Sequence, residues 1–136
     1  MKLLLDINVL MDFLQHRGAF AVPAARVFGA VEMRRATGYV AGHTITTAYY
    51  LLRRGTPAPV AESAILTLLR VLEVVPVERE DLMRALALGW MDFEDAVQSI
   101  CASKAGADYI VTRDLHDFRG SGVPARDPAS VLPLLR

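Results

Sequence analysis

Three aspartates, Asp6, Asp95 and Asp114, stand where their chemistry could be shared. Asp6 ends the run Leu3-Leu4-Leu5, which reads as a buried strand delivering an acid to the edge of a sheet. Asp114 follows a second apolar run, Tyr109-Ile110-Val111-Thr112, and Asp95 opens the segment before it. In that segment Phe93, Ala96, Val97, Ile100 and Cys101 recur at helical spacing, which packs one face on the sheet and leaves Asp95 and Ser99 on the arc beside it. If the two strands are parallel, their acids meet at one rim, where α/β sheets bind ligands. Carboxylates gathered there repel one another and raise one or more pKa values unless a divalent cation holds them. Oxygen donors without a histidine or thiolate cluster favour Mg²⁺ or Mn²⁺ over zinc. Such a cation, or a pair about 3.5 to 4 Å apart, activates water and stabilises both oxygens of an in-line displacement at phosphorus. Phosphodiester hydrolysis is the chemistry these residues fit.

Each acid also has a local use. Asp6 can cap the helix after the first strand, Asp114 can make an Asx turn, and Asp92 with Asp95 resembles an acidic capping box. Caps do not need to converge, so placement at one rim is what favours a shared site. Asp12, Asp81 and Asp127 read as solvated or capping acids. His43 and His116 are candidate bases, although metal-bound water needs none, and His43 reads as polar filler at a helix start. Cys101 falls on the core face as an inert thiol, Tyr49 belongs to the core, and Tyr50 is open to stacking on bases.

The elements that must position these groups follow from apolar spacing and breakers. Helical patterns cover Asn8 to Leu14, a stretch with Pro23 in its first turn that Gly38 closes, a third beyond Gly42-His43 to Arg53, and Val60 to Arg70. Further helices run from Glu80 to Leu88 and from the Asp92 region to Gly106, and a last short one follows Asp127-Pro128. Strands are expected at Tyr39 to Ala41, Val71 to Val75, Tyr109 to Thr112 and Val123 to Arg126, after the first at Leu3 to Leu5. Strands separated by helices imply an α/β fold, a three-layer α/β/α sandwich on a parallel sheet with right-handed crossovers. A chain of 136 residues is expected to form one domain, residues 1–136.

Composition narrows the setting. A single cysteine excludes an intramolecular disulfide framework, and no apolar run approaches the roughly 20 residues of a membrane span, so a cytoplasmic protein is expected. The apolar fraction of 53% and mean hydropathy of +0.30 hint at surface covered by a partner. Net charge is zero but unevenly spread: Met33 to Ala61 carries Arg34, Arg35, Arg53 and Arg54 with no acid, whereas Asp92 to Asp117 holds six acids against Lys104 and Arg113. The arginines are candidates for contact with a polyanion if they border the groove.

Leu4-Leu5-Asp6-Ile7-Asn8-Val9-Leu10, Asp92-Phe93-Glu94-Asp95-Ala96 and Ile110-Val111-Thr112-Arg113-Asp114-Leu115-His116-Asp117-Phe118 together resemble the PIN-domain family of metal-dependent nucleases, in particular its small VapC-like toxins. The likeness spans nearly the whole chain. It implies a sheet ordered 3-2-1-4-5 and an acidic pocket that binds Mg²⁺ or Mn²⁺ and cleaves single-stranded RNA. By position, the resemblance makes Asp6, Asp95 and Asp114 the metal-binding and catalytic acids, Asn8 a polar positioner, and Asp117 a supporting acid. One departure stands out. PIN nucleases place another acid, commonly glutamate, on the helix after strand two, where this chain has Thr47, and no acid occurs between Glu32 and Glu62. Thr47 can bind a water but adds no charge, so metal affinity falls unless Asp92 or Asp117 compensates.

The favoured expectation is therefore a metal-dependent endoribonuclease, the toxin of a toxin–antitoxin pair. Its rival is a PIN-like module with little catalysis, acting by RNA or protein binding. A phospho-acceptor receiver domain would need a lysine after the last strand, and the only lysines are Lys2 and Lys104. The resemblance also suggests a homodimer and a cognate antitoxin. Leu51, Leu52, Leu66, Leu68 and Leu69, on the third and fourth helices, are the expected interface.

Overall fold

The structure, a computed structural model, describes residues 1–135. Five strands, β1 (Lys2–Leu5), β2 (Thr37–Ala41), β3 (Glu73–Val75), β4 (Tyr109–Val111) and β5 (Ala125–Arg126), form one parallel sheet ordered β3-β2-β1-β4-β5. β1 is central because it is the leucine-rich strand. Leu3, Leu4 and Leu5 are all buried, and alternation sends Leu3 and Leu5 to one face and Leu4 to the other.

The two faces are covered by different helices. Leu3 and Leu5 meet α1 (Ile7–Gln15) and α2 (Ala21–Glu32) through Val9, Leu10, Val27 and Phe28, with Leu68 of α4 (Ala58–Val71) and Val131 of α7 (Pro128–Val131). Leu4 meets α6 (Phe93–Ala105) through Ala96, Val97 and Cys101, joined by Ala85 of α5 (Arg79–Ala87). α3 (Gly42–Arg53) packs on α1 and α4 through Ala48, Leu52, Met11 and Ala61.

Two helix starts set the rim. Asp6 caps α1, its Oδ1 accepting from the Ile7 N–H at 2.7 Å, so the chain turns from strand to helix at the acid itself. Asp92 caps α6, accepting from the Asp95 N–H at 3.0 Å, and Gly106 closes that helix at φ +69°. Gly38 of β2 is required by space: a Cβ there would lie 2.7 Å from Leu72 Cδ2 and 2.8 Å from Val31 Cγ1.

Several expectations need correction. Pro23 falls in the first turn of α2 as expected, but the helix continues directly from the 3₁₀ turn Gly18–Phe20. β2 starts at Thr37, because Thr37 pairs with Lys2, and β5 shrinks to two residues. Val71 belongs to α4, since helical bonding carries through to Leu72. Phe93 is 41% exposed rather than packed on the sheet, because as the first residue of α6 it stands at the open rim. Leu52 and Leu68 are core residues and leave the expected interface, while Leu66 and Leu69 are exposed. Asp12 is only 1% exposed and pairs with Arg113, Nε to Oδ2 at 2.6 Å. Asp81 is a buried cap in a reciprocal box with Glu78 and accepts from Lys104 Nζ at 2.9 Å, tying α5 to α6. Burial under neighbouring elements is why Asp12 is not solvated, whereas Asp81 is a capping acid as expected.

Candidate active site

β1 and β4 are neighbours in register Leu5↔Val111, so the residues after them leave the sheet side by side. The Asp6 N–H donates to the Val111 carbonyl at 3.0 Å, and the Thr112 hydroxyl donates to Asp6 Oδ2 at 2.8 Å. The same hydroxyl accepts from the Asp114 N–H at 2.9 Å, which fixes the turn that presents Asp114. Asn8, in the first turn of α1, reaches across to donate to Asp114 Oδ2 at 2.9 Å while its Oδ1 accepts from the Arg113 N–H at 3.3 Å.

α6 brings the third acid. Gln98, one turn after Asp95, donates through Nε2 to Asp6 Oδ1 at 2.7 Å and makes a longer contact of 3.4 Å with Asp95 Oδ1. A continuous path of polar contacts thus runs Asp114, Asn8, Thr112, Asp6, Gln98, Asp95. The three acids converge on one rim, yet neutral side chains stand between them. Among the described residues no three acidic, histidine or cysteine side chains lie close enough together to chelate an ion as they stand.

Electrostatics show how near they are. Asp95 is pushed up to about 7, first by burial and then by the charges of Asp6, Asp92, Asp117 and Asp114. Burial also raises Asp6, against hydrogen bonds from Gln98, Thr112 and Ile7 that favour its charged form. His43 is lowered by burial, against the Glu94 backbone and the charges of Glu94 and Asp6, which act the other way. It stands at the start of α3, as expected, with Nδ1 buried and unpartnered. The donor chemistry fits a hard cation: every nearby carboxylate is an oxygen donor, positive charge would relieve their repulsion, and Gln98 Oε1 is a buried oxygen without a hydrogen-bond partner.

The supporting residues divide. Asp92 caps α6 and adds charge toward Asp95, and Asp117, exposed in the turn Leu115–Phe118, adds more. Asp92 and Asp117 also line a cavity of about 290 Å³ with Trp90, Met91, His116 and Arg119. The Thr47 hydroxyl donates to the His43 carbonyl at 3.1 Å within α3, and no hydrogen bond ties it to the acids. Arg34 and Arg35 precede β2 at the edge where Thr37 pairs with Lys2, the end of the sheet opposite Asp6. They do not border the cup. Arg53 ends α3 and Arg54 follows it in the turn to α4, where Arg53 Nη1 donates to the Thr56 carbonyl at 2.8 Å.

Sequence reasoning missed Gln98 and the Thr112 hydroxyl. A signal existed for both: Gln98 is a polar residue inside the buried stretch of α6, three positions from Asp95, and Thr112 closes a strand that runs into an acid. Ser99, expected beside Asp95, bonds instead to Ser121 Oγ at 2.7 Å.

A parallel sheet in the order 3-2-1-4-5 with acids at the carboxyl ends of its central strands defines an α/β protein of the PIN-like class. The PIN domain profile matches residues 2–116, and the chain belongs to the PIN domain family. Ribonuclease VapC1 of Aquifex aeolicus is 28% identical over 121 residues, covering 83% of this chain and 81% of that protein. Among solved structures, VapC20 of Mycobacterium tuberculosis, a sarcin-ricin loop cleaving toxin, superimposes with a TM-score of 0.73 at 18% identity, over 89% of this chain and 95% of that one. VapBC2 from Rickettsia felis, bound to a promoter DNA fragment, gives 0.70 at 12% identity over 93% and 98%. Among the described residues no helix is long and apolar enough to cross a membrane.

Proposed function

We propose that this chain is a divalent-metal-dependent endoribonuclease that hydrolyses single-stranded RNA, working as one domain over residues 1–136 and serving as the toxin of a toxin–antitoxin pair. The observation that carries the reading is the convergence of Asp6, Asp95 and Asp114 on one rim, with Asp95 held at about 7 by burial and by four neighbouring acids. Kinship with a ribonuclease of matching length supports the substrate class.

In this reading Asp6, Asp95 and Asp114 hold Mg²⁺ or Mn²⁺, which supplies activation of water and neutralises charge developing on the phosphate. Asp6 is aimed by the Ile7 N–H and the Thr112 hydroxyl, so its carboxylate is set before substrate arrives. Asn8 orients Asp114, and Asp92 and Asp117 enlarge the negative field that recruits the cation. Arg53 and Arg54 are the arginines left as candidates for the RNA backbone. A homodimer and an antitoxin partner are supported by exposed apolar side chains on α4 and α5, Leu66, Leu69, Met83 and Leu86. VapBC2 is a structural neighbour, and FitAcB of Neisseria gonorrhoeae is another at a TM-score of 0.67. A cytoplasmic location is part of the same reading.

The specific observation favouring the rival, a binding module with weak catalysis, is Thr47, satisfied within its own helix where an acid is expected. Cleavage of a labelled single-stranded RNA in Mn²⁺ separates the two. The nuclease reading expects cutting by the parent that stops with EDTA and with a folded Asp6→Asn variant. Equal cutting by Asp6→Asn would sink the mechanism, and no cutting in millimolar Mn²⁺ would favour the rival.

A further inference from the structure

The amide of Gln98 stands between Asp6 and Asp95, and it is oddly served. Its Nε2 meets Asp6 Oδ1 at 2.7 Å and approaches Asp95 Oδ1 at 3.4 Å, while Oε1 is buried and has no donor. The side chain is 2% exposed, so water does not compensate from bulk solvent. Buried polar atoms are nearly always paired, and an exception calls for a physical reason. Packing alone would be served as well by leucine or methionine, neither of which buries a bare oxygen.

Resting on the metal-dependent reading above, we propose that Gln98 is a reversible occupant of the metal pocket: its N–H groups hold Asp6 and Asp95 together while the pocket is empty, and its carbonyl oxygen serves as a ligand when a divalent cation enters. The last torsion of a glutamine side chain is broad and two-fold, so a half-turn exchanges nitrogen for oxygen without moving α6. An N–H facing a cation is unfavourable, whereas an amide oxygen is an ordinary ligand for a hard divalent ion. Oε1 leaves no partner behind when it turns. The bond from Nε2 to Asp6 is lost and the N–H groups take the unpartnered place that Oε1 held, a cost that the cation's bonds to the same carboxylate and to the amide oxygen must exceed. Position agrees as well, for Gln98 stands one helical turn from Asp95 on the same face, beside Asp6 of the neighbouring strand end.

The test is calorimetric titration of the EDTA-stripped full chain with MnCl₂, beside Gln98→Leu and the isosteric Gln98→Glu, with circular dichroism to show that each variant is folded. Loss of a ligand of this kind is worth about 10-fold or more in metal affinity. Gln98→Leu is expected to weaken Mn²⁺ binding about 10-fold, and Gln98→Glu, which adds charge at the same place, to tighten it by a similar factor. A purely structural glutamine would change melting temperature in both variants and move neither affinity in this pattern. Binding by the parent with Gln98→Leu equal or tighter overturns the inference alone. If Gln98→Leu does not fold, Gln98→Glu decides, and unchanged or weaker affinity in it overturns the inference. No Mn²⁺ binding by the parent overturns the metal reading and this inference together.

Discussion

Asp95→Asn should stabilise the metal-free fold at neutral pH while destroying its chemistry. In the folded chain the Asp95 carboxyl is raised from the ordinary 3.8 to about 7, chiefly by burial and next by Asp6. A group with a raised folded pKa keeps a proton that the unfolded chain has given up, so the folded state binds more protons across that window. Stability of the metal-free parent therefore falls as pH rises from about 4 to about 7, and the deficit is complete above the folded value. Roughly 3 units at 1.36 kcal/mol each would be about 4 kcal/mol at full weight. Asp95 is only partly buried, and solvent screening cuts this to about 1 to 2 kcal/mol. Asparagine near the start of α6 gives back about 0.3 to 1 kcal/mol of helix-dipole stabilisation. The net expectation is a gain of about 1 kcal/mol at pH 8, or about 3 °C in melting temperature.

The assay is urea unfolding in EDTA at pH 4 and at pH 8, with parent and Asp95→Asn compared at each. The difference should favour the variant at pH 8 and vanish or reverse at pH 4. Added Mn²⁺ should stabilise the parent and leave the variant unmoved, because only a fold that binds the cation gains by mass action. Should Asp95→Asn be less stable than the parent at pH 8 in EDTA, or differ equally at both pH values, the crowding of acids at this rim is wrong.

Other expectations rest on separate parts of the fold. Arg113→Ala removes the partner of Asp12, which is 1% exposed, and should lower stability by about 3 kcal/mol in urea titration. An unchanged midpoint would mean that Asp12 rehydrates. Gly38→Ala forces a methyl against Leu72 and Val31 and should cost about 1 to 3 kcal/mol by the same measurement, with little effect if β2 can shift. Arg34→Glu with Arg35→Glu, at the end of the sheet away from Asp6, should leave the KM for RNA within about 2-fold of the parent. A tenfold rise would put RNA across that edge.

What the sequence made legible was whatever depended on period and punctuation. The leucine run and its terminal acid disclosed a central strand, and the spacing of Ala96, Val97 and Ile100 disclosed the helix that carries Asp95. Parallel pairing of β1 with β4 then follows, and with it the meeting of Asp6 and Asp114. What stayed hidden were pairings across many residues of chain that leave no periodic trace. Arg113 with Asp12 and Lys104 with Asp81 each join separate elements, and an acid buried by a distant cation looks in sequence like any acid on a surface. The arginines erred for a related reason: charge clustered along the chain says nothing of which end of a strand it falls on. Arg34 and Arg35 sit before β2, whereas a site at the carboxyl ends of the strands draws on residues that follow them. The same rule, applied to Gln98, explains why it was passed over. It follows no strand, and it enters the rim only because α6 packs on the face of the sheet that carries Leu4 and its start reaches Asp6, a packing fact that Ala96, Val97 and Ile100 imply but do not orient. Once that orientation is fixed, a polar residue one turn from Asp95 must either point into the acids or be buried unpaired, and Gln98 does both: its nitrogen meets Asp6 and its oxygen meets nothing.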